Sequence, residues 1–208
     1  DPNSPNYNKK TPWVAAENGP EYFLQNQLTL KNSIDVNGGS DVSTFRVAYT
    51  NLHQNGVLPN SKLDKNSFNM SASYDVLKNL TVTGAANFYR TNGQGRNHTG
   101  YSENIMSSFR QWFQTNVDLK DQEAAYEAFN RNVTWNRSGT FDPDPIYWDN
   151  PYFQRYESYQ SDQRDRLVGY FQADWKINDY FKLMGRASVD TYNEVQEERK
   201  AVGSISNE

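Results

Sequence analysis

The sequence contains no cysteine, few apolar residues and no long hydrophobic run. The absence of cysteine excludes a disulfide scaffold, a thiolate metal site and a cysteine nucleophile. The apolar share of 36% is low for a globular protein, although a chain of 208 residues is long enough to bury a core. No segment approaches the ~18 consecutive apolar residues of a transmembrane helix. The formal net charge of −4 argues against nucleic acid as the main partner.

The two ends of the sequence look like the inside of a longer chain. Asp1 is not an initiator methionine, and no basic segment followed by an apolar one comes after it. Residues 203–208 have the composition of an interrupted loop. We therefore expect the chain to be an internal piece of a longer protein.

What the sequence does contain is a repeated alternation of apolar and polar residues. Such alternation places successive side chains on opposite faces of a β-strand. In the first segment Leu30, Ile34 and Val36 share one face, and Lys31 and Asp35 share the other. The pattern recurs, and it predicts about six strands of the length that crosses a bilayer when tilted. The predicted strands cover residues 26–37, 43–51, 66–75, 80–90, 165–177 and 181–192.

The connections between these strands alternate between short and long. Short turns are predicted at 38–41, 76–79 and 178–180, and long loops at about 51–66 and 91–163. Outer-membrane barrels have short turns at one end and long loops at the other. A β-sandwich with one aromatic-rich inner face would show the same alternation along its strands. The pattern therefore favours a barrel but leaves the sandwich open.

Aromatic residues gather near both ends of the predicted apolar face. Those near the short turns are Phe45, Tyr74, Trp175 and Phe181, and those toward the long loops are Tyr49, Phe68 and Phe88. Two aromatic girdles around an apolar band are typical of outer-membrane barrels.

The longest loop contains helical patterns. Ile105, Phe109, Trp112 and Phe113 form an apolar stripe at helical spacing. This stripe predicts an amphipathic helix that is capped by Ser102 and packs its apolar side chains into a core. A second helix is predicted over 122–130. The proline-rich residues 142–153 are predicted to be extended.

Several stretches together resemble one known family. Residues 22–39 form an alternating segment that ends in Gly-Gly, and residues 55–61 read Asn-Gly-Val-Leu-Pro-Asn-Ser before the next strand. Residues 109–116 read Phe-Arg-Gln-Trp-Phe-Gln-Thr-Asn, and 147–152 read Tyr-Trp-Asp-Asn-Pro-Tyr. Residues 164–169 read Arg-Asp-Arg-Leu-Val-Gly. These stretches resemble the SusC/RagA-like family of TonB-dependent outer-membrane transporters from Bacteroidetes.

The resemblance implies an all-β fold, an antiparallel transmembrane β-barrel of about 22 strands of which this chain supplies about six. It also implies an internal plug, a SusD-like surface lipoprotein as lid, and energy delivered by TonB. The substrate would be an oligosaccharide or an oligopeptide, imported across the cell outer membrane. No plug-like segment or TonB-contacting box is recognisable in these residues, and six strands cannot enclose a wide lumen in lipid.

Signals for enzymatic chemistry are weak, and neither catalysis nor a cofactor is expected. His53 and His98 are predicted to be separate, solvated loop residues. Asp142, Asp144 and Asp149 could offer oxygen ligands to Ca²⁺, but structural or solvated carboxylates are the favoured interpretation.

Two groups of residues are candidates for binding. Possible contacts with substrate or lid lie in the aromatic part of the long loop: Trp135, Tyr147, Trp148, Asp149, Asn150 and Tyr152. Packing within the loop is the alternative for these residues. If the strands form a barrel, the polar strand face points into the lumen with Lys31, Asp35, Arg46, Asp75, Asp174, Lys176, Arg186 and Asp190. Pairing with one another or with the plug is favoured for this group over substrate binding.

Two other classes of protein fit parts of the pattern. A soluble β-sandwich could present the aromatic loops to a glycan as a binding module. A secreted glycan hydrolase would need two carboxylates about 5–10 Å apart in a cleft. Solubility without detergent separates the sandwich from the barrel, because the barrel would expose its apolar face.

Overall fold

The computed structural model describes residues 7–10, 12–101 and 103–205, which form one six-stranded antiparallel sheet and four short helices. The strands lie side by side in chain order: β1 (Thr29–Ser40), β2 (Ser43–Asn55), β3 (Lys62–Leu77), β4 (Leu80–Gln94), β5 (Gln160–Lys176) and β6 (Lys182–Glu198). Within the described residues β1 and β6 each pair on one side only, so the sheet is open rather than closed into a barrel. The prediction of an all-β, antiparallel chain is confirmed.

Tight turns join the strands at one end of the sheet. β1 extends through Ser40, so only residues 41–42 form the first turn. The predicted turn at 38–41 is therefore wrong for its two glycines, which lie within β1. The ring of Phe45 packs over Gly38, where an added Cβ would lie 2.8 Å from a ring carbon. The glycine makes room for the ring of the next strand instead of bending the chain.

The other two turns lie close to their predicted positions. Residues 78–79 join β3 to β4, and residues 177–181 join β5 to β6. In the second turn the side chain of Asn178 accepts hydrogen bonds from the backbone N–H groups of Tyr180 and Phe181, each at 2.9 Å. This arrangement is an Asx turn, which asparagine forms readily because its side chain imitates the backbone.

At the opposite end the strands continue beyond the apolar alternation. Polar pairs replace apolar pairs there: His53 lies 2.6 Å from Asp64, and Arg90 Nε donates to Asp165 at 2.7 Å. The predicted long loop at 51–66 is wrong, because only residues 56–61 lie between β2 and β3. The prediction that His53 lies in a loop is wrong for the same reason. Strand pairing uses only backbone N–H and C=O groups, so the strands can continue where the alternation of apolar and polar side chains stops.

The register places apolar side chains of all six strands on one face of the sheet. Tyr49, Phe68 and Phe88 form one row across β2, β3 and β4 on this face. The face is uncovered: Ile34 and Phe171 keep 64% and 58% of their surface exposed. The described residues form a single sheet, so the second sheet that a sandwich requires is not among them.

The helices are α1 (Pro20–Phe23), α2 (Ile105–Gln111), α3 (Leu119–Phe129) and α4 (Pro151–Glu157). Ser102, the predicted cap of α2, lies outside the described residues, and Asn104 caps this helix by accepting from the N–H of Ser107 at 3.2 Å. α3 begins three residues before its predicted start, because Asp118 accepts from the N–H of Lys120. α1 was not predicted.

Helix α4 replaces part of a stretch that is predicted to be extended. The side chain of Asn150 accepts from the N–H groups of Tyr152 and Phe153, and Pro151 occupies the first turn. Proline suits this position because the first helical residues have no intrahelical acceptor for their N–H groups. The prediction of an extended chain through residue 153 is therefore wrong, and the Asn-Pro pair is a helix start.

The helices and the segments between them gather at the end of the sheet opposite the tight turns. We call this part the loop cap (residues 12–28, 56–61, 95–101, 103–159 and 199–205). Its core consists of Phe23, Leu58, Ile105, Leu119 and Tyr152. None of the helices in the described ranges is long and apolar enough to cross a membrane.

Candidate functional site

A buried arginine holds the loop cap to the end of the sheet. Arg155 on α4 is 3% exposed and donates to the backbone carbonyls of Pro59, Gly95 and Arg96. Burial lowers its pKa to about 10, so the guanidinium stays charged at neutral pH. Asn60 completes the junction by donating to the carbonyl of Arg155 at 2.9 Å. The cap is therefore a fixed platform rather than a set of independent loops.

Asn150, a predicted contact residue, has no exposed surface. Its side-chain nitrogen donates to the carbonyls of Gln122 and Val133 at 2.8 and 2.9 Å, while its oxygen caps α4. All of its polar atoms are used inside the cap, as burial of an amide requires. The structure therefore gives Asn150 a packing role.

Asp149 is also turned inward. Its carboxylate accepts from Asn132 at 2.7 Å, from the hydroxyl of Ser204 at 2.6 Å and from the N–H of Ile205 at 2.9 Å. These bonds connect the long loop to the segment that follows β6. The carboxylate thus orders the cap. Sequence reasoning had no signal for Ser204 and Ile205, which lie more than 50 positions from Asp149.

Tyr152, the third inward residue of the predicted contact group, is 3% exposed and belongs to the core. Its ring meets Phe23 edge to face with 4.9 Å between centroids. Burial raises the pKa of its phenol above the ordinary value. Among the aromatic members of the group, Trp135, Tyr147 and Trp148 therefore remain the candidates for direct contact with a ligand.

Those other members lie at the surface of the cap or just beneath it. Tyr147 is 71% exposed and Trp148 is half-buried. Trp135 is half-buried against Phe113, with ring centroids 5.5 Å apart. Tyr101 lies 6.5 Å from Trp148, measured between ring centroids.

Tyr101 also meets the ring of Trp112, at 6.3 Å between centroids, and Trp112 is 51% exposed. The prediction that Trp112 belongs to the core is wrong, because Trp112 is the C-cap residue of α2, past its last helical residue, and half of its surface is exposed. Phe113, from the same stripe, does pack against the core. We call Tyr101, Trp112 and Trp148 the surface aromatic cluster, and sequence periodicity gave no reason to include Tyr101.

The predicted acidic cluster does not converge on one point. Asp142 accepts from the N–H of Asp144 at 3.1 Å, and both residues are exposed, whereas Asp149 is occupied by the bonds described above. Asp142 therefore acts within its own turn, whereas Asp149 joins distant segments of the cap.

A different group brings possible metal ligands together. Ligand atoms of His98, Glu103 and Glu198 lie within 4.8 Å of one another. Lys200 forms ion pairs with both glutamates, so its ammonium already supplies positive charge to the carboxylates. Burial, and then the charge of Lys200, lower the pKa of His98. The prediction that His98 is a solvated residue is wrong, because only 15% of its side chain is exposed.

The residues predicted to face a lumen all share the polar face of the sheet, by register with one another. Arg46 donates to Asp35 at 2.7 Å, and Arg186 donates to Gln172 at the same distance. Asp190 accepts from Arg166 at 2.8 Å. Ion pairs and hydrogen bonds between side chains thus connect neighbouring strands on the polar face.

The remaining members of this group have fewer cross-strand partners. Lys176 pairs with Asp179 in the adjoining turn at 2.7 Å, and Asp75 accepts from Thr81 at 2.6 Å. Asp174 accepts from Gln172 at 2.5 Å. Lys31 forms no ion pair with any described residue. Local pairing therefore accounts for most, but not all, of the charge on this face.

Comparisons with protein-family models and with curated proteins find no match for this chain.

Proposed function

We propose that this chain is one sector of the wall of an outer-membrane β-barrel that imports nutrient oligomers. The apolar face of the sheet contacts lipid, the polar face lines the lumen, and the loop cap lies outside the cell. The chain performs no covalent chemistry in this proposal. A SusD-like lipoprotein would close over the cap, and TonB would act through parts of the transporter beyond these residues.

The observation that carries the proposal is the separation of apolar and polar side chains onto two uncovered faces. Leu183 on the apolar face is 57% exposed, and its cross-strand partner Trp175 is 45% exposed. Contiguous apolar patches above a few hundred Å² mark a membrane or partner surface. Six strands of such side chains exceed what an isolated soluble domain leaves open to water, because each Å² of exposed apolar area costs about 25 cal/mol.

The height of the apolar band supports lipid as its occupant. Along β4 the band runs from Leu80 to Phe88, which at about 3.3 Å per residue is about 26 Å along the strand. A tilt of about 40° reduces this to about 20 Å. Outer-membrane barrels have an apolar band of about 25 Å flanked by aromatic residues. The row of Tyr49, Phe68 and Phe88 stands where one such girdle is expected.

The two ends of the sheet support an orientation. Tight turns at one end correspond to the periplasmic side of such barrels, and long loops correspond to the outside. The surface aromatic cluster and the exposed Tyr147 then face the lid and incoming substrate. Aromatic rings offer large apolar faces with little side-chain entropy to lose, which suits contact with a sugar ring or a protein partner.

Paired single cysteines test the proposal, since these residues contain no native cysteine. Ala187→Cys and Ser188→Cys place labels on adjacent residues of β6, on the apolar and polar faces respectively. In vesicles containing the intact protein, a nitroxide at residue 187 should collide with dissolved oxygen and avoid a nickel complex. A nitroxide at residue 188 should show the reverse preference. Equal access of the nickel complex to both labels would contradict the proposal.

A soluble glycan-binding module is the second candidate, and the surface aromatic cluster is the observation that favours it. Such a module would keep the intact protein in solution without detergent, and its binding would depend on Trp112 and Trp148. Equal nickel access to both labels, together with glycan binding that Trp112→Ala abolishes, would support this alternative.

A further inference from the structure

The loop cap contains a cleft that the proposed function does not use. It has a volume of about 510 Å³ and lies between the end of α3, the segment around residues 137–145 and the turn at 202–203. Its apolar wall includes Phe129, Pro143 and Val202. Phe129 and Val202 are 41% and 96% exposed, so the wall is open to solvent. We call this site the arginine cleft, because Arg131 and Arg137 also line it.

Hydrogen bonds hold the floor of the arginine cleft in place. Asn132 donates both to Asp149 at 2.7 Å and to the carbonyl of Gly203 at 2.8 Å, which ties the 202–203 turn to the long loop. Arg137 pairs with Pro145 in a short antiparallel bridge. The N–H of Ser138 donates to the carbonyl of Asp144 at 2.8 Å. The segments that carry the lining residues are therefore ordered before any ligand arrives.

The two guanidinium groups of the cleft have no partners within the described ranges. Neither Arg131 nor Arg137 forms an ion pair there or donates a hydrogen bond from its side chain. Arg46 and Arg90, by contrast, are both paired with carboxylates on neighbouring strands. The cleft has one acidic lining residue, Asp144, which lies beyond ion-pair distance of both arginines. Its lining therefore carries a net positive charge beside an apolar wall.

We propose that the arginine cleft binds a carboxylate attached to an apolar body, such as the C-terminus of a short peptide that ends in an apolar residue. Guanidinium and carboxylate groups match in shape and form paired charge-assisted hydrogen bonds. The apolar wall would cover the side chain next to the carboxylate. The site belongs to the cap alone, so it does not depend on whether the sheet contacts lipid.

Calorimetric titration of the intact protein with N-acetyl-leucyl-phenylalanine tests the proposal. The free acid should bind. The same dipeptide with a C-terminal amide should bind at least about tenfold more weakly, because the amide lacks the negative charge. Binding of the acid should also weaken as salt is raised. Equal affinity for acid and amide, or binding of neither, would overturn the proposal.

Matched arginine variants locate the binding. Arg131→Gln and Arg137→Gln should each weaken binding of the acid about tenfold, since each removes one charge-assisted contact. Arg110→Gln is the control, because Arg110 is an exposed arginine at the end of α2 that does not line the cleft. Equal weakening by all three variants would show a diffuse charge effect and overturn the assignment. Thermal unfolding should change little in all three, because none of these side chains forms an ion pair or a hydrogen bond with a described residue.

Discussion

Arg155 donates from Nε to the carbonyl oxygen of Pro59 at 3.0 Å, although 96 residues separate the two in the chain. The same guanidinium reaches the carbonyls of Gly95 and Arg96, so one side chain joins the β2–β3 connection, the end of β4 and helix α4. No carboxylate pairs with it among the described residues. Arg155 therefore stabilises the loop cap through hydrogen bonds to backbone carbonyl groups.

Arg155→Met should loosen the loop cap. The substitution leaves the carbonyls of two buried residues, Pro59 and Gly95, without this donor, at about 1–3 kcal/mol each, and that of the exposed Arg96 at less. We expect a loss of about 3 kcal/mol in the free energy of unfolding of the cap, measured by hydrogen exchange of α4. Arg110→Met, at an exposed arginine of α2, is the control and should change exchange little. Equal exchange in both variants would show that the buried contacts add nothing.

Gly95→Ala should destabilise the same junction through a clash. Gly95 has a φ of +64°, and an added Cβ would lie 2.0 Å from the carbonyl oxygen of Asn60. Gly100 has a φ of +92° with nothing within 4 Å of its added Cβ, so Gly100→Ala isolates the backbone strain, about 1 kcal/mol. Gly95→Ala should therefore cost clearly more in a thermal unfolding experiment. Similar shifts in the two variants would contradict the close approach of Asn60.

Lysine at adjacent positions of β6 should separate the two faces of the sheet. If the apolar face contacts lipid, Ala187→Lys should cost about 2–4 kcal/mol near the bilayer midplane. Ser188→Lys, on the polar face, should be tolerated. The amount of folded protein in the outer membrane, measured by resistance to heat and detergent, reports the difference. Equal loss in both variants would argue that the faces have the same surroundings.

Acid should weaken the junction around His98. Burial and Lys200 lower the pKa of this imidazole, while Glu198 opposes the shift and Arg155 adds to it. The folded state therefore binds the proton less readily than the unfolded state. Stability should be full above the ordinary histidine pKa of ~6.5 and fall as the pH is lowered through and below it. His98→Gln should flatten this dependence of the thermal midpoint, and an unchanged slope would contradict it.

Two aromatic truncations should distinguish core from surface in the cap. Phe23 is 1% exposed and contacts Phe109 and Tyr152, so Phe23→Ala should cost about 3–5 kcal/mol. Trp112 is half-exposed, so Trp112→Ala should cost much less in the free energy of unfolding. Chemical denaturation followed by circular dichroism would report both. A larger loss at Trp112 would restore it to the core that its sequence position predicted.

Much of the sheet could be predicted because its signal is local. Alternation along β3 and β4 identifies both strands and their faces, since successive side chains on a strand must point in opposite directions. The predicted strand ends stopped short at the cap side, where His53 and Asp64 continue the pairing with polar side chains. A pair of polar side chains does not continue the alternation of apolar and polar residues, so the alternation ends before the strand does.

The candidate site was less predictable. Residues 147–152 were singled out by composition, yet the structure turns Asp149, Asn150 and Tyr152 inward and leaves Tyr147 at the surface. The choice depends on which segments meet. Asn150, for example, is buried because the carbonyls of Gln122 and Val133 lie beside it.

The alternation of apolar and polar residues is enough to specify strands with one apolar and one polar face, because that pattern depends only on neighbours two residues apart. Which polar groups are buried and which remain free depends instead on how distant segments pack together. Arg155 and Arg137 have the same chemistry, but Arg155 meets the carbonyls of distant segments while Arg137 lines an open cleft. Such contacts join residues far apart in the chain, and no local pattern encodes them.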